Sequence, residues 1–227
     1  MFWSEDNENA VHAVPDTIID LAFDLVCRCL PIDHAYALSQ ALLQALPWLE
    51  QEARAGIHLI HGAESGHGWQ RPENPAREVL HLSRRTKLIL RLPKERVTDA
   101  RKLTGTVLEL DGYRMDVGEA RVRMLSALTT LYSRYVVANE DENEEQFMRR
   151  AAAELKQMNI GTLKLLCGKS TVFQLPGKPL FTRRLMAAEL TPEASIRLQQ
   201  QGLGPGRKLG CGLFIPHKGI TATAAGP

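Results

Sequence analysis

A chain of 227 residues with 44% hydrophobic and 24% charged residues has the make-up of a globular protein, long enough for one large domain or two small ones. No stretch reaches the ~20 apolar residues of a membrane helix, and the acidic opening MFWSEDNENAVHAVP does not read as a signal peptide. The net charge of +2 hides a division: eight acids and no Lys or Arg lie in residues 1–15 and 140–145, and setting those acids aside leaves 28 basic against 18 acidic residues, a body of +10 suited to a polyanion.

Residues 1–15 are expected to be a disordered acidic tail. Residues 16–25 then alternate, with Ile19, Leu21, Phe23 and Leu25 opposite Asp20 and Asp24, which predicts a half-buried strand. Pro31 and Asp33 open a helix with apolar Leu38, Ala41, Leu42, Ala45 and Leu46; Asp33 is the expected N-cap and Pro47 the stop. Residues 56–61 read as a short strand, followed by a Gly/Pro-rich loop over 62–75. Residues 79–92 alternate, with Leu80, Leu82, Leu88, Leu90 and Leu92 on one face and His81, Arg85, Lys87 and Arg91 on the other, and a hairpin turning at Arg84-Arg85 is the alternative. A helix over 94–103 and a strand over 106–117, turned at Asp111-Gly112, complete the first half.

The second half repeats the order. It has a long strand over 122–137, a helix over 142–158, strands over 162–166 and 181–189, a helix from Thr191-Pro192-Glu193 to Gln201, and a last strand over 213–217. The fold class is therefore α+β: two tandem ferredoxin-like βαββαβ domains, residues 16–119 and 120–218, hinged near 118–121, with a glycine-rich loop near the C-terminus and a disordered tail over 219–227. Cys27, Cys29, Cys167 and Cys211 contain no CxxC pair and read as reduced thiols of a cytoplasmic protein.

The stretch GLGPGRKLGCGLF, residues 202–214, holds five glycines and two adjacent basic residues. It is not a P-loop, because Lys208 is followed by Leu209 and the order is helix then strand. Glycines let a backbone lie directly against a ligand, and successive bared amides make an anion-binding concavity. Gly202, Gly204, Gly206, Gly210 and Gly212, with Arg207 and Lys208, are thus expected to cradle phosphates. Helix capping explains one or two of these glycines but not all five.

GLGPGRKLGCG between the last helix and last strand of a doubled βαββαβ chain resembles the glycine-rich loop of the RAMP superfamily. With LPIDHAYALSQALLQAL and GIHLIHGAESGHGW, the chain resembles the Cas-six family of CRISPR repeat-processing endoribonucleases over about residues 16–218. The resemblance implies cleavage of a CRISPR repeat hairpin without a metal or other cofactor: the 2′-hydroxyl attacks the adjacent phosphate, leaving a 2′,3′-cyclic phosphate and a 5′-hydroxyl. Its implied partners are the repeat RNA and other subunits of a CRISPR effector complex, with no membrane.

Such chemistry needs a base, a proton donor and positive charge on the phosphorane. His34, near the start of the first helix, is the first choice for the base, since the helix dipole favours neutral imidazole there. Tyr36 is placed to orient the hydroxyl or the phosphate, and His61 is the rival base. His58 points away from His61 on a strand, and His67 lies in the Gly-rich loop; the three lack the helical spacing of a zinc site. Some family members carry a histidine in the turn after the first helix, where this chain has Glu50-Gln51-Glu52-Ala53-Arg54. Arg85, Lys87 and Arg91 are expected as a phosphate track, and Arg183 and Arg184 as hairpin contacts, one of the two reaching RNA. With aromatics at 6% and no aromatic RNP motif, phosphate and groove contact is expected rather than base stacking. A non-catalytic RNA-binding RAMP subunit is the second reading, and a ferredoxin-like protein that binds no nucleic acid the third.

Overall fold

A computed structural model describes residues 17–62, 79–161 and 164–217. The two expected tails, the Gly/Pro-rich loop beyond Gly62 and His67 lie outside the described residues.

The alternation of the opening strand is realised as β1 (Ile18–Val26), whose Ile19, Leu21, Phe23 and Leu25 are buried in the core of the first half. Then come β2 (Cys29–Pro31), α1 (Ala35–Ala45), α2 (Trp48–Gln51), β3 (Gly56–His58), β4 (Val79–His81) and β5 (Lys87–Pro93). A short helix α3 (Val97–Ala100), flanked by 3-10 turns, leads to the hairpin β6 (Val107–Leu110) and β7 (Tyr113–Arg123). The sheet order is β3-β5-β1-β7-β6, all antiparallel. The second half comprises β8 (Leu131–Val137), α4 (Glu144–Gln157), β9 (Lys164–Gln174), β10 (Pro179–Ala188), α5 (Pro192–Gln201) and β11 (Ile215–Pro216), in sheet order β11-β8-β10-β9. Counting the strands of each βαββαβ unit in sequence, both sheets have the ferredoxin-like order 4-1-3-2, with β6 added at one edge of the first. Local signals start the helices near where expected: Asn143 and Gln146 form a capping box on α4, and Thr191 caps α5 with Pro192 in its first turn.

Four local expectations are corrected. His34, not Asp33, occupies the N-cap position of α1; Asp33 Oδ2 instead accepts from Gln174 N at 2.8 Å, tying the two halves together. The alternation over 79–92 is broken at 83–86, where Thr86 N bonds Ser83 O, and β4 pairs with β2 rather than with β5. The run from 122 is not one strand. β7 continues to Arg123 beside β1, so the passage between halves lies at 124–130 rather than 118–121. Side chains of α5 satisfy the backbone of that passage in place of a neighbouring strand: Gln199 Nε2 donates to Ser126 O at 2.6 Å and Ser195 Oγ to Leu128 O at 2.5 Å. The last strand shortens to Ile215–Pro216, although His217 N still donates to Thr130 O beyond it.

Each half has its own apolar core, and a smaller third cluster joins them. Ala35 of α1 packs there with Tyr135, Phe173 and Cys211 of the second half. This seam positions the functional side chains.

Candidate RNA-cutting seam

The glycine stretch leaves α5 and runs beside the seam. All five of its glycines have φ between 67° and 86°, so the conformational freedom read from the sequence is used. Many of its amides are spent inside the protein rather than bared to a ligand, however. Gly202 N donates to Leu198 O, Gly210 N to Arg207 O, and Gly212 N to Tyr135 O at 2.7 Å, while Leu203 N and Cys211 N close onto Gly212 O and Gly206 O. Gly212 shows why glycine is required: a Cβ there would meet Leu203 O at 2.2 Å. The two cations turn inward as well. Arg207 donates to Gln201 O at 2.6 Å, Gln200 O at 3.2 Å and, across the seam, Arg54 O at 2.9 Å. Lys208 Nζ holds Glu52 O and Ala55 O at 2.7 and 2.6 Å. Burial lowers Arg207 to about 10 and Lys208 to about 8. The expected phosphate cradle is therefore an internal strap that clips the second half onto the α2–β3 connection of the first.

The basic strand face is corrected at Arg91. Arg85 is exposed on the turn before β5, and Lys87 pairs with Asp24 across the ladder. Arg91 is fully buried; it meets Asp20 through Nε at 2.8 Å and Nη2 at 3.0 Å, and gives Nη1 to Gln199 O and Phe214 O of the second half. Burial alone would raise the Asp20 carboxyl, but Arg91 and His58 outweigh it and hold it well below the usual carboxylate range. Arg183 donates to Glu142 O at 2.9 Å, away from the open sheet face. Arg184, its neighbour, faces the cleft described below.

His34 is 3% exposed, and both its ring nitrogens have protein partners. Nδ1 lies 2.9 Å from Pro31 O, and Nε2 accepts from Ile60 N at 3.1 Å. A carbonyl only accepts, so the network assigns the neutral Nδ1–H tautomer. His34 thereby anchors the segment that carries His61. Leu59, on the same segment, packs against Gly210 of the strap. Held from both sides, the His61 ring stacks on Tyr135 at 5.9 Å and 30°, and Tyr135 packs edge-on against Phe173. Burial, with Arg134, His34, His58 and Arg184 nearby, pushes His61 well below the ordinary histidine value, so it is neutral near pH 7. His58 is turned the other way, 3.5 Å from Asp20 Oδ1. Tyr36 is 38% exposed on the first turn of α1, next to seam residue Ala35.

The open face of the second sheet forms a cleft of about 400 Å³ lined by β8, β9, β10 and His217. Arg134 and Arg184 belong to it, and no carboxylate lines it. Sequence reading missed Arg134; a single Arg in a strand carries no signal until the sheet sets it beside Arg184. Among the described residues no three His, Cys, Asp or Glu side chains converge as metal ligands.

The profile of the family described as Cas6 Crispr matches residues 19–219. A CRISPR-associated endonuclease Cas6 of Myxococcus xanthus (strain DK1622) is 32% identical over 199 residues, covering 87% of this chain and 81% of that protein. Among solved structures, the product of a Cas6-related gene from Pyrococcus furiosus superposes with a TM-score of 0.59 at 11% identity, covering 87% of this chain and 97% of its own. A structure described as an RAMP protein binding different RNA substrates gives 0.59 at 14% identity, with 87% and 98% coverage. At those identities the superpositions speak for a shared tandem ferredoxin-like fold. The sequence match over most of the chain carries the assignment: this protein belongs to the Cas6 CRISPR family.

Proposed function

We propose that this protein is the endoribonuclease that cuts CRISPR repeat transcripts into guide RNAs, and that it does so at the seam without a metal ion. The observation that carries the reading is His61, a histidine kept neutral by burial and by Arg134 and Arg184, two arginines that line a carboxylate-free cleft. Neutral imidazole accepts the proton of a 2′-hydroxyl. The 2′-oxygen then bonds to phosphorus, the bond from phosphorus to the 5′-oxygen breaks, and that oxygen takes up a proton returned from the seam. Arg134 and Arg184 supply charge to the pentacoordinate phosphorane. His34 is a positioning residue in this scheme, acting through Ile60 N on the His61 segment, and Tyr36 is proposed to meet the RNA at the rim. The cut product is proposed to stay bound through the repeat hairpin and to pass with the protein into an effector complex.

The test is cleavage of the cognate repeat RNA in EDTA. Wild type is expected to cut, leaving a 2′,3′-cyclic phosphate. His61→Ala is expected to lose about 10²- to 10⁴-fold in single-turnover rate, the usual contribution of a general base, while RNA affinity holds. His34→Asn, which keeps a polar side chain at the cap, should lose less than His61→Ala. Full activity of His61→Ala, or cleavage abolished by EDTA and restored by a divalent ion, overturns the proposal.

A further inference from the structure

The floor of this cleft is largely apolar and ring-bearing. Tyr132 of β8, Leu166 of β9 and Met186 of β10 line it together with His217. Tyr132 meets His217 edge-on at 5.5 Å and 86°, and the Arg134 guanidinium lies over the Tyr132 ring at 5.4 Å. Leu166 is 61% exposed, a large aliphatic side chain left uncovered on a strand. Arg184 Nε is shielded from solvent and has no hydrogen-bond partner among the described residues. Gly168 keeps the cleft open beside Arg184: a Cβ there would come within 2.9 Å of Arg184 Cβ.

An apolar floor with an aromatic face, two guanidiniums at the rim and no carboxylate matches one chemical unit, a planar heterocycle joined to a phosphate. Bases stack on aromatic rings and on guanidinium planes, and phosphates pair with arginine. A volume of about 400 Å³ is in the range of small-ligand pockets, ~300–1,000 Å³. Arg134 and Arg184 line the cleft and also stand near enough to the His61 ring to act on its charge, so the cleft and the proposed cutting site share these two arginines. We infer that this cleft takes one unpaired nucleobase of the RNA, seated against Tyr132 and Leu166 with its phosphate at Arg134 and Arg184, and that this base sets which phosphate reaches His61. The inference rests on the reading of His61 as the cutting site.

The experiment uses the full chain and repeat RNAs made uncleavable by a 2′-deoxy sugar at the cut site, with 2-aminopurine placed in turn at each unpaired nucleotide. Binding to wild type is expected to quench one position several-fold. Tyr132→Ala is expected to remove that quenching and to weaken binding by about 5- to 150-fold, the span of one lost base stack, and Leu166→Ala to weaken binding several-fold through lost apolar contact, whereas Tyr132→Phe retains binding and quenching. An abasic nucleotide at the quenched position should weaken binding to wild type alike and add little to the Tyr132→Ala loss. Leu166 is exposed, so its truncation tests the site even where a Tyr132 variant folds poorly. Absence of a quenched position, or binding by both Ala variants within twofold of wild type, overturns the inference. If wild type cuts no repeat RNA, the reading of His61 fails; if it cuts while the Ala variants bind, quench and cut as wild type does, the nucleobase site alone fails.

Discussion

Replacing Arg91 by Met keeps the aliphatic stem and removes the guanidinium. The side chain is fully buried and serves three acceptors: the Asp20 carboxylate, Gln199 O and Phe214 O. Breaking a buried ion pair from one side costs about 3–5 kcal/mol, and a buried carbonyl left without its donor costs about 1–3 kcal/mol. Asp20 keeps His58 nearby and is 18% exposed, so its own share falls at the low end. With the ion pair at about 3 kcal/mol and the two carbonyls at about 1–3 kcal/mol each, a total of about 5–9 kcal/mol follows. With a urea m-value of about 2 kcal/mol/M, the unfolding midpoint should fall by about 2.5–4.5 M. The assay is equilibrium urea unfolding followed by circular dichroism. The double variant Asp20→Asn/Arg91→Met, which leaves no orphaned charge, should recover about 1–2 kcal/mol of the loss. A drop below about 1 kcal/mol would refute the pin. The alternative role, a phosphate contact, would instead leave stability alone and reduce the salt slope of RNA binding by about 0.7. The pH dependence follows from the same pair. A carboxyl held low in the folded state stabilises above its unfolded value of about 4 and loses that contribution as pH falls toward its folded value. Wild type should therefore shed this tie only in acid, and Arg91→Met should show a weaker acid dependence.

Gly212→Ala places a Cβ 2.2 Å from Leu203 O at positive φ, so backbone must move; a loss of at least about 3 kcal/mol, or about 6–12 °C in Tm, is expected by calorimetry. Gly105→Ala, also at positive φ but with open space around it, should cost only about 1–2 kcal/mol; equal effects at the two glycines would refute the strap's packing. The pH profile of single-turnover cleavage should be level near neutrality and fall in acid, tenfold per unit below the His61 value. Because burial pushes His61 down, the midpoint should lie well under 6.5, and a midpoint at or above 6.5 would remove His61 as the base.

The βαββαβ repeat was legible because it is written in local terms. Two-residue alternation in β1, three- and four-residue spacing in α1, Pro192 after Thr191 and the turn at Asp111-Gly112 each act within a few residues. The strand boundary at 123–131 was not legible, because Gln199 and Ser195, some seventy residues away, satisfy that backbone. The same distance problem explains the basic residues. Arg91 and Lys208 look alike in sequence to residues that meet a polyanion, and each is spent on carbonyls of the opposite half. Base stacking was set aside because aromatics are few, yet the second sheet gathers Tyr132 and His217 at one cleft.

By itself the sequence determined the two ferredoxin-like halves, the glycines' need for positive φ and the family resemblance that the profile match carries. Each rests on near-neighbour sterics, on periodic burial or on motif spacing. Only the tertiary structure decided which donors remain for a ligand. A hydrogen-bonding group is committed by whatever stands within about 3 Å of it, and across the seam those partners come from chain positions that no local pattern connects.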